Sequence, residues 1–273
     1  MLLSDITPVL LTYNESPNIG RTLERLAWAR DIVIVDSFSE DDTLAIAGRY
    51  PQVRIFQRRF DEHALQWNFA VRETGIRTPW VWALDADYVL SPELVAELER
   101  VEPAAETVGF ETRFRYCIYG ETLRGSVYPA KVTLFRRDRG HFEQDGHTQR
   151  LAIAGPVAAL KGTISHDDRK SLARWLGSQA GYMRREAVKL TCAASGSLSA
   201  ADRLRNTIVL GPLVMFFYCL FWKKNILDGQ AGLYYTIQRT LAELILSAYL
   251  LEQRLRGDTP RTSAQASNRE ELS

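Results

Sequence analysis

The stretch "PWVWALDADYVLSP", residues 79–92, decides how the rest of the chain is read. Its apolar run, Trp80 to Leu84, ends in Asp85 and Asp87 with only Ala86 between them. Carboxylates are costly to desolvate and repel each other at short range. A buried strand that runs into such a pair either opens into a solvated turn or meets something positive there. Alternate residues of an extended segment point the same way, so Asp85 and Asp87 can aim at one divalent cation past a small Ala86. Mg²⁺ and Mn²⁺ favour oxygen ligands and keep room for substrate phosphates. The plainer alternative leaves Asp87 as a solvated turn carboxylate and Asp85 as a neighbour of the helix cap that follows.

Upstream of this stretch the chain repeats a strand–helix unit. "ITPVLLTY" (6–13), "DIVIVDS" (31–37) and "VRIFQRRF" (53–60) read as strands. Helical spacing follows each one, in "NIGRTLERLAWA" (18–29), "DDTLAIAGRY" (41–50) and "LQWNFAVRETG" (65–75). "PWVWALDADYVL" is the fourth strand, and "SPELVAELERV" a helix with Ser91 as N-cap and Pro92 in its first turn. Such alternation through short loops predicts an α/β fold, a mainly parallel sheet flanked by helices. Ligands of these sheets bind at the carboxyl ends of the strands. "TYNE", "DSFSEDD" and "DADY" all fall at those ends, so three polar loops converge on one rim.

Beyond Val108 the pattern changes. "VGFETRFRYCIYG" and "AKVTLFRRDRGHF" alternate as strands, and "DGHTQRLAIAGPVAALKGTISHDDRK" reads as short strands and polar loops. A helix is predicted over 171–190, followed by the small-residue hinge "AASGSLSAAD". "TIVLGPLVMFFYCLFWKK" (207–224) and a long helix through 230–254 form a C-terminal apolar helical hairpin. Three segments result: 1–190 as the α/β domain, 201–256 as membrane-associating or packing helices, and 257–273 as a disordered tail.

Composition narrows the function. A net charge of +1, with 25% charged and 46% apolar residues, gives no electrostatic case for nucleic-acid binding. Cys117, Cys192 and Cys219 lie far apart, which fits a reducing compartment and neither disulfides nor zinc. No basic region precedes the first apolar stretch, so no secretory signal is read. No G-x-G-x-x-G follows the first strand, which argues against a dinucleotide-binding dehydrogenase.

Four segments, "VLLTYNESPNIGRTLERL", "DIVIVDSFSEDDT", "QWNFAV" and "WALDADYVLSPEL", resemble in order and spacing the N-terminal half of family 2 glycosyltransferases. The likeness leans towards bacterial enzymes that build lipopolysaccharide core and other envelope polysaccharides. It implies a GT-A (nucleotide-diphospho-sugar transferase) fold and a UDP- or GDP-linked sugar donor. It further implies a divalent metal, Mn²⁺ or Mg²⁺, and an inverting transfer. Carried onto this chain, it implies that Thr12, Asn14 and Glu15 line the nucleotide site. Asp36 would accept a hydrogen bond from the base, Asn68 would help hold the donor, and Asp85 would contact the nucleotide. Asp87 would bind the metal, with Asp85 beside it and His166 as a further ligand, as enzymes of this fold recruit one from that region.

Direct displacement needs a base opposite the leaving diphosphate. "HFEQDGHTQRL" offers Glu143, Asp145 and His147, of which Asp145 beside Gly146 is preferred and His147 comes next. Related core-building enzymes often carry His-Glu near this place, whereas Thr148 and Gln149 follow His147 here. In "SHDDRK", Arg169 and Lys170 are placed to neutralise a diphosphate, and the alternative is a capped helix start. Capping accounts equally for Glu40, Asp41 and Asp42.

The expected partners are therefore a nucleotide-diphosphate sugar, a lipid-linked or glycan acceptor, and the cytoplasmic face of a bacterial inner membrane. Basic residues and Trp222 at the ends of the 207–224 stretch suit a helix lying in the headgroup region. Two alternatives remain at this point. One is a haloacid-dehalogenase-like phosphohydrolase, which also ends a strand in DxD. The other is a non-catalytic sugar-nucleotide-binding protein.

Overall fold

The computed structural model describes residues 3–145, 148–193 and 198–257. The first half follows the strand–helix repeat. Strands β1 (Ile6–Thr12), β2 (Ile32–Asp36), β3 (Val53–Gln57) and β4 (Trp80–Asp85) alternate with helices α1 (Ile19–Glu24), α2 (Thr43–Ala47) and α3 (His63–Arg72). β1 lies between β2 and β4, β3 flanks β2, and all three pairings are parallel. The strands' alternation sorts the core. Ile32, Ile34, Trp82 and Leu84 face a cluster with α1, while Val33, Val35, Val81 and Ala83 face Trp67, Ala70 and Val71 of α3. The sheet is thus buried on both faces, which is why its strands read as continuous apolar runs.

The quoted stretch does not form one strand. It breaks at the aspartates, and the second part, β5 (Tyr88–Leu90), leaves the parallel series. After it come α4 (Pro92–Arg100), β6 (Gly109–Ile118), β7 (Glu121–Thr122), β8 (Lys131–Arg136), β9 (Gly140–Asp145), β10 (Thr148–Ile153) and β11 (Val157–His166). β5 pairs antiparallel with β11, at the far edge of a sheet ordered β3-β2-β1-β4-β8-β6-β11-β5. β7 adds to β6, and β9 pairs with β10 in a separate hairpin. The turn at Asp85–Asp87 therefore marks where the chain crosses from the middle of the sheet to its edge. Ser91 caps α4 as expected, accepting from the Leu94 amide at 3.2 Å.

One glycine sets how close α4 comes. A Cβ at Gly162 of β11 would lie 2.4 Å from Leu94 Cα. The same approach lets Glu97 of α4 accept from the amides of Lys161 (2.9 Å) and Gly162 (2.7 Å), where the β11–β6 register slips. A bulge leaves such amides without ladder partners, and the carboxylate supplies them.

At the C-terminus stand α5 (Leu172–Cys192), α6 (Ala200–Arg205), α7 (Leu210–Phe217) and α8 (Gly229–Arg256). A π-helical turn (Tyr218–Trp222) and a 3₁₀ turn (Asn225–Asp228) join α7 to α8. α5 shares an apolar core with α8 through Met183, Ala187, Leu190, Ala242, Leu246 and Leu250. Arg205 of α6 ties the group together, pairing with Glu243 of α8 (2.7 Å) and Glu186 of α5 (3.4 Å). No helix among the described residues is long and apolar enough to cross a membrane. Of the tail predicted as disordered, 257–273, Gly257 caps α8 and residues 258–273 lie outside the described residues.

Gly162→Ala is expected to destabilise the fold by about 1–3 kcal/mol, because the added methyl meets backbone and not a flexible side chain. Urea unfolding of the two proteins measures this; an unchanged midpoint would show that α4 shifts at no cost.

Candidate functional site

Four chain segments meet at the carboxyl ends of the central strands: the loop after β1, the loop after β2, the Asp85–Asp87 turn, and the segment 166–170 after β11. The loops after β1 and β2 are stitched to each other. Thr12 donates its hydroxyl to Asp36 Oδ1 at 2.8 Å, and Ser39 gives Asp36 both its amide (2.8 Å) and its hydroxyl (2.5 Å). Asn14 takes a left-handed φ of 54°, which asparagine tolerates. Its amide donates to Ser39 Oγ at 2.7 Å, and its Oδ1 accepts from the Glu40 amide at 2.7 Å.

The structure places several of the expected residues behind the rim. Asp36 is fully buried behind the rim with both oxygens engaged, so it shapes the loops and offers no exposed oxygen to a base. Thr12 is buried beside it in the same role. Asn68 is committed elsewhere: its amide group donates to Phe142 O (2.8 Å) and accepts from Phe142 N (2.9 Å), fastening α3 to β9 as one more ladder rung. Asp41, expected to cap α2, does accept from the Thr43 amide at 3.0 Å, and it also takes the Ser16 amide at 3.1 Å.

What faces the rim is an acidic group matched by cations. Glu15 pairs with Lys170 and accepts from Asn18 Nδ2 at 2.9 Å. Asn18 bridges onward to Asp168 (2.9 Å) and accepts from the Arg169 amide (3.0 Å). Asp87 Oδ2 lies 3.0 Å from His166 Nε2. Arg169 pairs with Asp167 at 2.9 Å and keeps its side chain partly exposed. Asp85, at the end of β4, is partly exposed. Asp145 ends β9 and pairs with Thr148 through the backbone, while His147 lies outside the described residues.

Burial alone would make these charges unstable, and neighbouring charges compensate. Burial pushes the Glu15 carboxyl up to about 7; Asp87 adds to the rise and Lys170 opposes it. Burial also works against charge on Lys170, but Glu15 and Asp168 outweigh it and hold the ammonium above its ordinary range. At Asp87 burial opposes ionisation, yet His166 and Lys170 prevail and keep the carboxyl below its ordinary value. Lys170 is thus the secure charge of its pair, and Glu15 the one divided near neutrality.

The site fits a cation in part. Asp87 Oδ1 and His166 Nδ1 are buried without a hydrogen-bond partner. A buried carboxylate oxygen left open is a place for a positive group. Among the described residues, however, no three His, Cys, Asp or Glu side chains are assembled into a metal-binding cluster. The set expected from sequence, Asp85, Asp87 and His166, is correspondingly not preformed: Asp87 and His166 are spent on each other. A donor set of one or two carboxylates completed by phosphate oxygens and water is what Mg²⁺ or Mn²⁺ requires.

Sequence reasoning missed the residues that hold this rim together. Asn18 and Arg21, three apart on the first turn of α1, point to one side and grip the 167–169 segment. That spacing was the available signal. It also missed an aromatic box around His166, whose ring centroid lies 4.6 Å from Tyr128, 4.7 Å from Tyr116 and 5.3 Å from Tyr88. Nothing periodic announces it, because the three tyrosines come from separate strands and a loop. Arg174, in the first turn of α5, donates to Tyr13 O at 2.7 Å.

Comparison with known proteins agrees with this architecture. The sequence model of glycosyl transferase family 2 matches residues 8–146. The chain is 30% identical over 170 residues to the lipopolysaccharide core biosynthesis glycosyltransferase LpsC of Rhizobium meliloti, covering 59% of this chain. It is 33% identical over 101 residues, 37% of this chain, to an uncharacterized glycosyltransferase of Rickettsia conorii. These matches span 62% and 35% of the relatives' own lengths. Among solved structures, the mannosyltransferase PcManGT of Pyrobaculum calidifontis, in complex with GDP-Man and Mn²⁺, superposes with a TM-score of 0.50. That likeness has 15% identity and covers 92% of this chain and 86% of the other. The fold is GT-A, as the motifs implied.

Glu15 gives the site a pH signature. Its folded value, about 7, lies above its ordinary 4.5, so the folded state keeps a proton that the unfolded chain releases between the two. The stability from this group is complete below about 4.5 and lost as pH rises through about 7. Unfolding midpoints measured from pH 4.5 to 7.5 are expected to show this falling component, and Glu15→Gln to remove it. An identical profile in the variant would refute the assignment.

Proposed function

The chain belongs to glycosyl transferase family 2, and from that premise we propose that it moves one sugar from a UDP- or GDP-linked donor to a lipid-linked glycan or lipopolysaccharide-core acceptor. The transfer depends on a divalent cation, inverts the anomeric centre, and takes place at the cytoplasmic face of a bacterial inner membrane. The observation that carries the reading is the open, buried Oδ1 of Asp87 at the rim where the β1, β2 and β11 segments converge. Family membership supplies the reaction and excludes the phosphohydrolase, whose DxD strand normally opens the chain; here three strand–helix units precede β4. The name of the Rhizobium relative supports the acceptor class, and the donor and ion held by the Pyrobaculum enzyme support the ligand chemistry.

Asp87 and Asp85 would hold the cation, with His166 freed to join them; when bound, it supplies positive charge to offset the leaving diphosphate. Lys170 and Arg169, already at the rim, add fixed positive charge on the same side. Glu15, with Tyr13 beside it, faces the nucleoside. Thr12, Asn14 and Asp36 act one step back, by fixing the two loops that shape the pocket. In the reaction a bond forms between the acceptor oxygen and the anomeric carbon while the bond from that carbon to the diphosphate oxygen breaks. The acceptor's proton passes to Asp145, with His147 as the next choice, from the side opposite the diphosphate.

A thermal-shift series with UDP and GDP, each with and without Mn²⁺, tests this. One nucleotide is expected to stabilise the protein by about 2.7 kcal/mol at a hundredfold excess over its Kd, only with the metal present. Asp87→Ala is expected to abolish the shift while retaining a cooperative transition. Stabilisation by neither nucleotide, or an equal shift without metal, would sink the proposal.

A further inference from the structure

The C-terminal hairpin is held from one side only. Gly211, Pro212, Cys219 and Asn225 are buried against α8, where Gly232 sits so close that a Cβ there would lie 1.9 Å from Asn225 O. The other side carries Leu213, Phe217, Phe221, Trp222, Ile226 and Leu227 into solvent. Phe217 and Phe221 stack at 6.1 Å, and Trp222 is 76% exposed. Apolar side chains of this size in one contiguous patch mark an interaction site.

The charge around the patch says what it meets. No acidic residue occurs from Thr207 to Leu227, whereas Lys223 and Lys224 sit at the turn between the helices. The nearest carboxylate, Asp228, is turned inward onto the Arg124 amide (3.0 Å) and guanidinium (3.5 Å). Lys223 lies over the Tyr218 ring at 5.3 Å, its head beside the apolar ridge. Apolar and aromatic side chains rimmed by lysines match the boundary between acyl chains and anionic headgroups. A two-fold contact with a second copy would bring the lysine pair near its own image. The segment is too short to cross a bilayer.

We infer that the ridge from α7 through the 3₁₀ turn is a docking surface for an anionic lipid bilayer, into which Phe217, Phe221, Trp222 and Ile226 insert at headgroup depth. The surface connects with the candidate site. Gly125 packs on the Lys223 backbone, Val127 donates its amide to Tyr235 Oη at 2.9 Å, and Tyr128 lies against His166. One short stretch, 124–128, therefore spans from the docked turn to the Asp87–His166 pair. The docking stands on the patch alone; that it presents a lipid-linked acceptor to the site rests on the function proposed above.

Sedimentation of the full chain with vesicles tests it. Vesicles of phosphatidylglycerol and phosphatidylethanolamine are expected to carry the protein down, and phosphatidylcholine vesicles to do so at least tenfold less well. The double variant Phe221→Ser, Trp222→Ser is expected to lower the partition coefficient at least tenfold, with its thermal midpoint unchanged. Lys223→Glu with Lys224→Glu is expected to remove the salt-sensitive part of binding. The inference is overturned if the wild-type chain stays in the supernatant, or if the double serine variant binds as tightly. It is equally overturned if light scattering shows a dimer that those serines split while vesicles capture nothing. Vesicle binding without sugar transfer would fault the proposed function and leave the docking surface standing; transfer without vesicle binding would do the reverse.

Discussion

Asp167 is buried to 4% exposure and takes three donors: Arg21 of α1 at 2.8 Å, Arg169 at 2.9 Å and the Gly120 amide at 3.1 Å. Its own amide donates to Asp87 O at 3.2 Å. A single residue thus joins the first helix, the end of the last strand, the tip of the β6–β7 turn and the Asp85–Asp87 turn. Breaking a buried pair of this kind leaves an uncompensated charge, which typically costs several kcal/mol. Asn18 repeats the pattern with a neutral side chain. It donates to Glu15 and Asp168 and accepts from Arg21 and the Arg169 amide, so both ends of its amide are fully used. The rim's geometry follows from these two residues more than from any one loop.

The consequence is a pocket whose charges are balanced within the protein and yet lean towards a ligand. Glu15, Asp87, Asp167 and Asp168 stand against Lys170, His166, Arg21 and Arg169. A bare diphosphate would meet Asp85 and Asp87 at close range and be repelled. On the proposed function, a cation bound with it would reverse that sign. The tyrosines around His166 restrict where its ring can move, since Tyr88 and Tyr128 are themselves hydrogen-bonded to each other.

Periodicity revealed the parallel half of the sheet, because Val and Ile at alternating positions with helices between them allow few other folds. The break between β4 and β5 was not legible. "YVL" continues the apolar pattern, and only its pairing with β11, residues later in the chain by more than seventy positions, shows that it has changed sides of the sheet. The same limit explains Asn68 and Asp36. Both types are common at sites and common as fasteners, and what decides is the partner: Phe142 for the first, Thr12 and Ser39 for the second. Sequence placed the polar groups together on one rim of the sheet and could not say which of them face outward.

The C-terminal helices illustrate a coupling that composition conceals. Their apolarity reads as an appendage, yet α5 belongs to their core through Met183, Ala187 and Leu190, and its first turn reaches Tyr13 through Arg174. From the other direction, Tyr235 of α8 packs on Tyr116 at 4.8 Å, which in turn packs on His166. The helices therefore touch the rim twice, once at the loop after β1 and once behind the His166–Asp87 pair. Arg205, held between Glu186 and the buried Glu243, fixes α6 to that frame, and Ser247 donates to Ile208 O at 2.7 Å just before α7 begins. Packed side chains thus connect the base of the exposed ridge with the candidate site from two directions.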